Sequence, residues 1–300
     1  MRELLKKIVR LLPRPLKALG GSICGNIKIS AARRAFNGCR EKNEYLDPSE
    51  IARLVKHDTR SFPIIRYDAE GLKFRAEENV SFIKKRVPLT GIKDCLELGC
   101  WDGMVGAKLV NLGKNATGLD LKKEGFDPRA AATGVKFIQG DAASMPIPNT
   151  CMDLVYCFAS FEHFADPAAV VADSWRVLRS GGYLYLSFCP VYTSPYGLHA
   201  YRAFPLPYCH YLFKEEDLKQ YAMTHGLTLD WPYVNGFTVT QYRDLFAEYK
   251  DKFETCFYKE YPTGGIGAEW IRRHPSCFKG KVADFNDFFV SWIEVVLRKQ

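Results

Sequence analysis

No apolar run in these 300 residues approaches the ~20 that a helix needs to span a bilayer, so the sequence holds no transmembrane segment. Its ten cysteines include no Cys-x-x-Cys pair and no Cys/His spacing suited to zinc. Cys95, Cys157 and Cys189 sit inside apolar runs, where a reduced cysteine acts as a small hydrophobe. No metal is expected, and a reducing, cytoplasmic setting follows. Acidic residues are scarce at the N-terminus: in residues 1–40 Glu3 stands alone against ten Lys/Arg, a charge of +9. With a formal total of +8, the body beyond residue 40 is close to neutral. That distribution excludes a nucleic-acid-tracking body and moves the question to the N-terminus.

Residues 1–19 carry Leu4, Leu5, Ile8, Leu11 and Leu12 at helical spacing, with Arg2, Lys6, Lys7 and Arg10 between them. A secretory signal is excluded, because basic residues interrupt the apolar stretch and Pro13 and Pro15 end it early. Two readings use this pattern equally well. One is an interfacial helix resting on anionic lipid at the inner membrane face. The other is an amphipathic helix packed on its own domain or on a second subunit.

Residues 1–74 read as that head followed by a helical and irregular lead-in, with a helix expected over Ala76–Val87. From Asp94 the chain alternates short apolar runs with helical patterns: DCLEL, MVGAKLVNL, ATGLD, VKFIQ, DLVYCFA, AAVVADSWRVL and GYLYLSF. Such alternation implies βαβ units and a parallel sheet covered on both faces. Ligands in these folds bind beyond the carboxyl ends of the strands. The core is therefore placed at residues 75–190. Residues 191–213, rich in Pro and Tyr, interrupt the rhythm where a short loop is the norm, and read as a lid or binding loop. Residues 214–300 resume with a helix at Lys214–His225, a strand-like LTLDW, a mostly helical insert at about 236–287 and a closing apolar run.

The chemistry concentrates in Glu97-Leu98-Gly99-Cys100-Trp101-Asp102-Gly103, between the first strand and the next helix. A ligand with a charged tail approaches backbone closely only where side chains are absent, which gives Gly99 and Gly103 a purpose. The helix that follows is expected to offer free N–H groups to a carboxylate. The second strand ends in Asp120, whose carboxylate can accept both hydroxyls of a ribose. Gly140-Asp141-Ala142 follows the third strand, where Asp141 can accept from an adenine amino group.

DCLELGCWDG, ATGLD, GDA, MPIPNTCMDLVYCFASFEHF and RVLRSGGYLYLSF together resemble the successive motifs of class I S-adenosylmethionine-dependent methyltransferases, nearest to the type 11 methyltransferase-domain subgroup. One glycine loop is weak evidence; five motifs in order and spacing are strong. The resemblance implies a Rossmann-like, doubly wound α/β fold with a mostly parallel seven-stranded sheet and an antiparallel last strand near 289–298. It implies S-adenosyl-L-methionine as cofactor, with Glu97, Gly99 and Gly103 at its methionine end and Trp101 among the cofactor-binding residues. Asp120 and Leu121 would then stand at the ribose, Asp141 and Ala142 at the adenine, and Phe158 to His163 along the active site. Trp101 departs from the family, which usually has glycine there. Its indole either points away and packs or forms a wall between cofactor and substrate.

Methyl transfer is an in-line displacement, so alignment supplies much of the rate. A hydroxyl acceptor also needs a base, and His163 is the candidate; a hydrogen-bonded histidine that shapes the loop is the alternative. His199, His210 and Tyr196 in the lid are candidate substrate contacts. Tyr192, Tyr201, Tyr208 and Tyr211 there would stack on an acceptor or form a small aromatic core. After the fourth strand the chain has FASFEHF, not the Asn/Asp-Pro-Pro-Tyr run of base-amino methyltransferases. With the neutral body this favours a small-molecule, saccharide or lipid-linked acceptor, methylated at oxygen. Two other readings stay open: a nicotinamide-dependent oxidoreductase, disfavoured by the glycine spacing and the downstream GDA and SGGYLYLSF, and a non-catalytic binding or scaffold protein on the same fold, favoured by Trp101 and opposed by Glu97, Asp120 and Asp141.

Overall fold

The computed structural model describes residues 14–42, 44–57, 68–228 and 232–300, with side chains in the first helix described from Cys24 onward. The amphipathic pattern of residues 2–12 and most of LTLDW lie outside the described residues. The chain divides into two compact units.

One unit, residues 62–192, 232–261 and 292–300, holds the sheet apart from its end residues Pro262, Val290 and Ser291. Its strands are β1 (Asp94–Leu98), β2 (Asn115–Asp120), β3 (Lys136–Gln139), β4 (Met152–Phe158), β5 (Leu178–Phe188), β6 (Phe253–Pro262) and β7 (Val290–Lys299), in the order β3-β2-β1-β4-β5-β7-β6. β1 to β5 pair in parallel, and β7 runs antiparallel to β5 with Ser187 opposite Glu294. The seven-stranded, Rossmann-like sheet with an antiparallel last strand is thus present. Strands β1, β4, β5 and β7 are Leu-, Val- or Ile-bearing runs buried along most of their length, as the covered middle of a sheet requires.

A helix at Ala69–Arg86 buries Leu72, Ala76, Val80 and Ile83 at helical spacing, the last three clustered with Cys95, Leu154, Tyr156 and Val296 of the sheet core. Burying each of the Leu, Val and Ile side chains contributes about 1.5–3 kcal/mol. This helix starts seven residues before the expected Ala76. Asp68 caps it by accepting the Gly71 N–H at 2.8 Å, while Gly71 weakens the helical pattern of the first turn. It ends at Arg86, and its cap Val87, the residue before Pro88, is extended, since helical backbone is disfavoured there.

The insert at 236–287 is a correction. Its helix Val239–Glu248, opened by a Thr238/Gln241 capping box, is followed by β6, the edge strand of the sheet. Charged and polar residues (Glu254, Thr255, Lys259, Glu260) break up β6, and that is how an edge strand is kept from pairing with other chains. The same polarity hid it from the hydrophobic pattern.

The other unit comprises residues 1–61, 193–231 and 262–291. Helix α1 (Arg14–Gly38) lies along the short helix Ala268–Arg273. Here the residues read as an aromatic lid take a packed form. Tyr208 is buried, its hydroxyl donates to the Phe288 carbonyl at 2.6 Å, and its ring meets Phe278 at 5.1 Å. Tyr211 is buried in the same aromatic core, so neither tyrosine is open for stacking on an acceptor. Among the described residues no helix is long and apolar enough to cross a membrane.

Candidate functional site

β1 delivers the chain to a five-residue turn in which Gly99 (φ 65°), Trp101 (φ 46°) and Gly103 (φ 72°) all have left-handed backbone. Such backbone is open to glycine and costs other residues about 1–2 kcal/mol. The two glycines are also required by packing. A Cβ on Gly99 would meet the Ser160 side chain at 2.6 Å, and one on Gly103 would meet the Phe137 ring at 2.5 Å. The glycines expected to make room for a ligand therefore make room for the protein itself.

The turn is stitched to the end of β2. Gly99 and Cys100 donate their N–H groups to the Leu119 carbonyl at 2.8 and 3.2 Å, and Trp101 donates to Asp120 Oδ2 at 2.9 Å. Asp120 Oδ1 accepts from Lys122 N–H at 3.2 Å. Each Asp120 oxygen thus keeps acceptor capacity after holding one backbone N–H. The Trp101 indole lies against the Gly125 backbone and stays 50% exposed.

The helix after the turn (Met104–Val110) does not present its first N–H freely. Met104 N–H goes to Asp102 Oδ1 at 2.9 Å, and buried Asp102 pairs in turn with Arg75 from the Ala69–Arg86 helix. This corrects the expectation of free N–H groups there. Glu97, buried on β1, accepts from the Tyr156 hydroxyl at 3.2 Å. Burial, then the charge of Asp102, pushes its carboxyl up to about 8. Two carboxyl groups, Glu97 before the turn and Asp102 within it, are thus buried here, with the Arg75 guanidinium on Asp102.

Beyond β2, Leu121 stands 61% exposed. After β3, Asp141 is exposed and caps its own turn through Ala143 N–H at 2.9 Å, while Ala142 is buried. Phe158 closes β4 with its ring edge-on to Tyr185 at 5.4 Å. Ser160 then donates to a carbonyl oxygen, with Gly99 O and Phe158 O both at 3.2 Å, and so ties the turn after β4 to the turn after β1. His163 ends a short 3-10 turn, Phe161–His163. Its Nδ1 lies 2.6 Å from the Tyr233 carbonyl, which can only accept, so the proton is on Nδ1 and the lone pair on Nε2. Burial holds the His163 pKa below its usual 6.5. Asn235 clamps this turn, donating from Nδ2 to Phe161 O and Phe164 O, both at 3.2 Å.

Glu97, Gly99, Trp101, Gly103, Asp120, Leu121, Asp141, Ala142, Phe158 and His163 thus share the carboxyl edge of one sheet. Tyr196, His199 and His210 belong to the other unit. There His210 is buried against Tyr211, with ring centroids 4.2 Å apart. Sequence reading passed over Arg75, Tyr156 and Asn235. Only Asp102, in an Asp-Gly step before a helix, carried a local signal of its capping role.

Residues 96–186 match the profile of a methyltransferase domain family. A probable S-adenosylmethionine-dependent methyltransferase of Mycolicibacterium smegmatis is 31% identical over 119 residues, which is 37% of this chain and 46% of that protein. A ubiquinone biosynthesis O-methyltransferase of Xylella fastidiosa is 31% identical over 117 residues, 36% of this chain and 46% of that one. The matched stretch spans about half the length of these curated relatives. The crystal structure of the PH0226 protein from Pyrococcus horikoshii OT3 shares the fold, with TM-score 0.50 and 16% identity over 80% of this chain and 97% of that chain.

Proposed function

We propose, from the premise that residues 96–186 form a class I S-adenosylmethionine-dependent methyltransferase domain, that the whole chain transfers a methyl group to an oxygen of a small-molecule, saccharide or lipid-linked acceptor. The observation that carries this reading is the donor set at the carboxyl edge of the sheet. Glu97 stands buried at the end of β1 with its carboxyl pushed up to about 8, and an ammonium beside it would favour the carboxylate and pair with it. Asp120 keeps an acceptor site on each oxygen for a vicinal diol, and Asp141 is exposed for an amino group. That set fits S-adenosyl-L-methionine, whose sulfonium supplies the activated methyl group.

The chain's own part is to bind, align and move a proton. Asp120 orders the turn and grips the ribose, while the exposed Leu121 borders the nucleoside side. Ser160 fixes the spacing between the cofactor turn and the turn that bears His163. With its proton on Nδ1, His163 presents Nε2 as the base for a hydroxyl acceptor, and its lowered pKa keeps it neutral at pH 7. The O-methyltransferase relative and the absence of an Asn/Asp-Pro-Pro-Tyr run support oxygen as the acceptor atom.

Two measurements test this. Calorimetric titration should show S-adenosylmethionine and S-adenosylhomocysteine binding in the micromolar range, about −8 kcal/mol. Transfer of labelled methyl to a panel of phenols, glycans and polar lipids should then be cut by His163→Ala with cofactor binding intact. For the wild type, the low-pH limb of kcat should have its midpoint below 6.5, because the base works deprotonated and burial depresses its pKa. Equal turnover in wild type and His163→Ala removes the histidine from catalysis. No cofactor binding at all would favour the scaffold reading.

A further inference from the structure

From Leu4 to Arg40 the chain has no acidic residue, and the first forty positions hold ten Lys/Arg. The described part of α1 shows how that charge is displayed. Its inner face carries Gly25, Ala32 and the partly buried Ile29 and Phe36, and the Phe36 ring meets Phe285 at 5.1 Å. Two cations beside this face are used within the unit. Arg33 donates to Asn286 Oδ1 at 2.6 Å and lies over Phe285, and Lys279 lies over Phe36. The outer face is different. Lys28, Arg34 and, just past the helix, Arg40 are exposed. None of the three has an ion pair or hydrogen bond to another described residue. Ile27, next to Lys28 and about two helical turns before Arg34, is 65% exposed. Uncompensated cations flanking an exposed aliphatic side chain contribute nothing to the packing of this unit.

We propose that the outer face of α1 is a docking surface for an anionic lipid bilayer, approached by Lys28, Arg34 and Arg40 with Ile27 directed toward the acyl boundary. Three arguments favour this occupant. The charge complements an anionic membrane, where each juxtamembrane cation strengthens binding by roughly five-fold. A second copy of the chain would bring the same uncompensated cations against one another. A nucleic acid or free phosphate would satisfy the cations but offers no apolar phase to Ile27. Residues 1–13, which lead directly into α1, add Arg2, Lys6, Lys7 and Arg10 with six Leu, Ile and Val. Peripheral binding of this kind needs such a combination of basic and apolar side chains. The inference is independent of the acceptor assigned above.

The test is co-sedimentation of the full-length chain with vesicles of phosphatidylcholine alone and of phosphatidylcholine mixed with phosphatidylglycerol, at low and high salt. Binding is expected only to the anionic vesicles, and should weaken as salt rises. The double variant Lys28→Glu/Arg34→Glu should reduce it by at least ~25-fold. A Lys136→Glu variant, with the charge reversed on β3 instead, should bind as wild type does. Melting temperature and cofactor titration establish that each variant is folded. Three results overturn the proposal: no binding to either vesicle, equal binding to neutral and anionic vesicles, or undiminished binding by a folded double variant. Sedimentation velocity supplies a fourth. A wild-type dimer that the double variant dissolves would make the face a protein interface instead.

Discussion

The backbone N–H of Trp101 donates to Asp120 Oδ2 at 2.9 Å, so one carboxylate both holds the turn after β1 and stands where a ribose is expected. The two duties are separable. Asp120→Asn keeps an oxygen to accept the Trp101 N–H but loses the charge, whereas Asp120→Ala loses both. A hydrogen bond to a charged group contributes about 1.5–3 kcal/mol. Asp120→Ala is therefore expected to weaken S-adenosylmethionine binding by roughly 10- to 150-fold per lost ribose contact and to lower the melting temperature. Asp120→Asn should lose affinity while melting close to wild type. Unchanged affinity in both variants would take Asp120 out of the cofactor site.

Trp101 itself carries a backbone penalty. Its φ of 46° is left-handed, and its half-exposed ring recovers part of that cost by packing on Gly125. Trp101→Ala keeps the penalty and discards the ring. Trp101→Gly discards both. The glycine variant should therefore be more stable than the alanine variant by about 1 kcal/mol. Urea denaturation of the two proteins decides it, and equal stabilities would mean that the turn relaxes to another conformation.

The glycines separate backbone conformation from crowding. Gly113 (φ 76°) has nothing within 4 Å of a built Cβ, so Gly113→Ala should cost only the left-handed penalty, about 1 kcal/mol. Gly103 has nearly the same φ, but its Cβ would lie 2.5 Å from a Phe137 ring that is stacked on Phe126 at 4.2 Å. Overpacking of that kind typically adds about 1–3 kcal/mol. Gly103→Ala should therefore be clearly the less stable in the same denaturation assay. Similar losses at both positions would show that Phe137 moves aside freely.

What could be read ahead of the structure follows from the range of the interactions. The parallel sheet, the glycine turn and the acidic residues after β2 and β3 are written in runs of five to ten residues, where hydrophobic period and turn chemistry act locally. β6 was missed because an edge strand needs polar residues that erase the period. Arg75, Tyr156 and Asn235 were missed for a different reason. Arg75 meets Asp102 across 27 residues, Tyr156 meets Glu97 across 59, and Asn235 meets Phe164 across 71. None of the three sits in a local motif. Trp101 could be flagged by resemblance alone, but only the structure gives its left-handed φ and its contact with Gly125.

Glu162 tests the electrostatics of the turn after β4. It is buried, and among the described residues no hydrogen bond of ordinary geometry reaches either carboxyl oxygen. His163 Nε2 stands 3.9 Å from Oε1. Burial pushes the carboxyl up from its usual 4.5 to about 8, so the folded protein binds this proton more tightly than the unfolded chain. Its stabilising effect is complete below pH 4.5 and is lost as pH rises toward 8. Glu162→Gln removes the titration while keeping the shape. The wild type should lose stability relative to Glu162→Gln by on the order of 1 kcal/mol per pH unit across that window, whatever the constant offset between the two proteins. Chemical denaturation at pH 5, 6.5 and 8 measures the two slopes. Parallel slopes would mean that Glu162 stays ionised in the folded protein, held by a cation or by solvent that enters the turn.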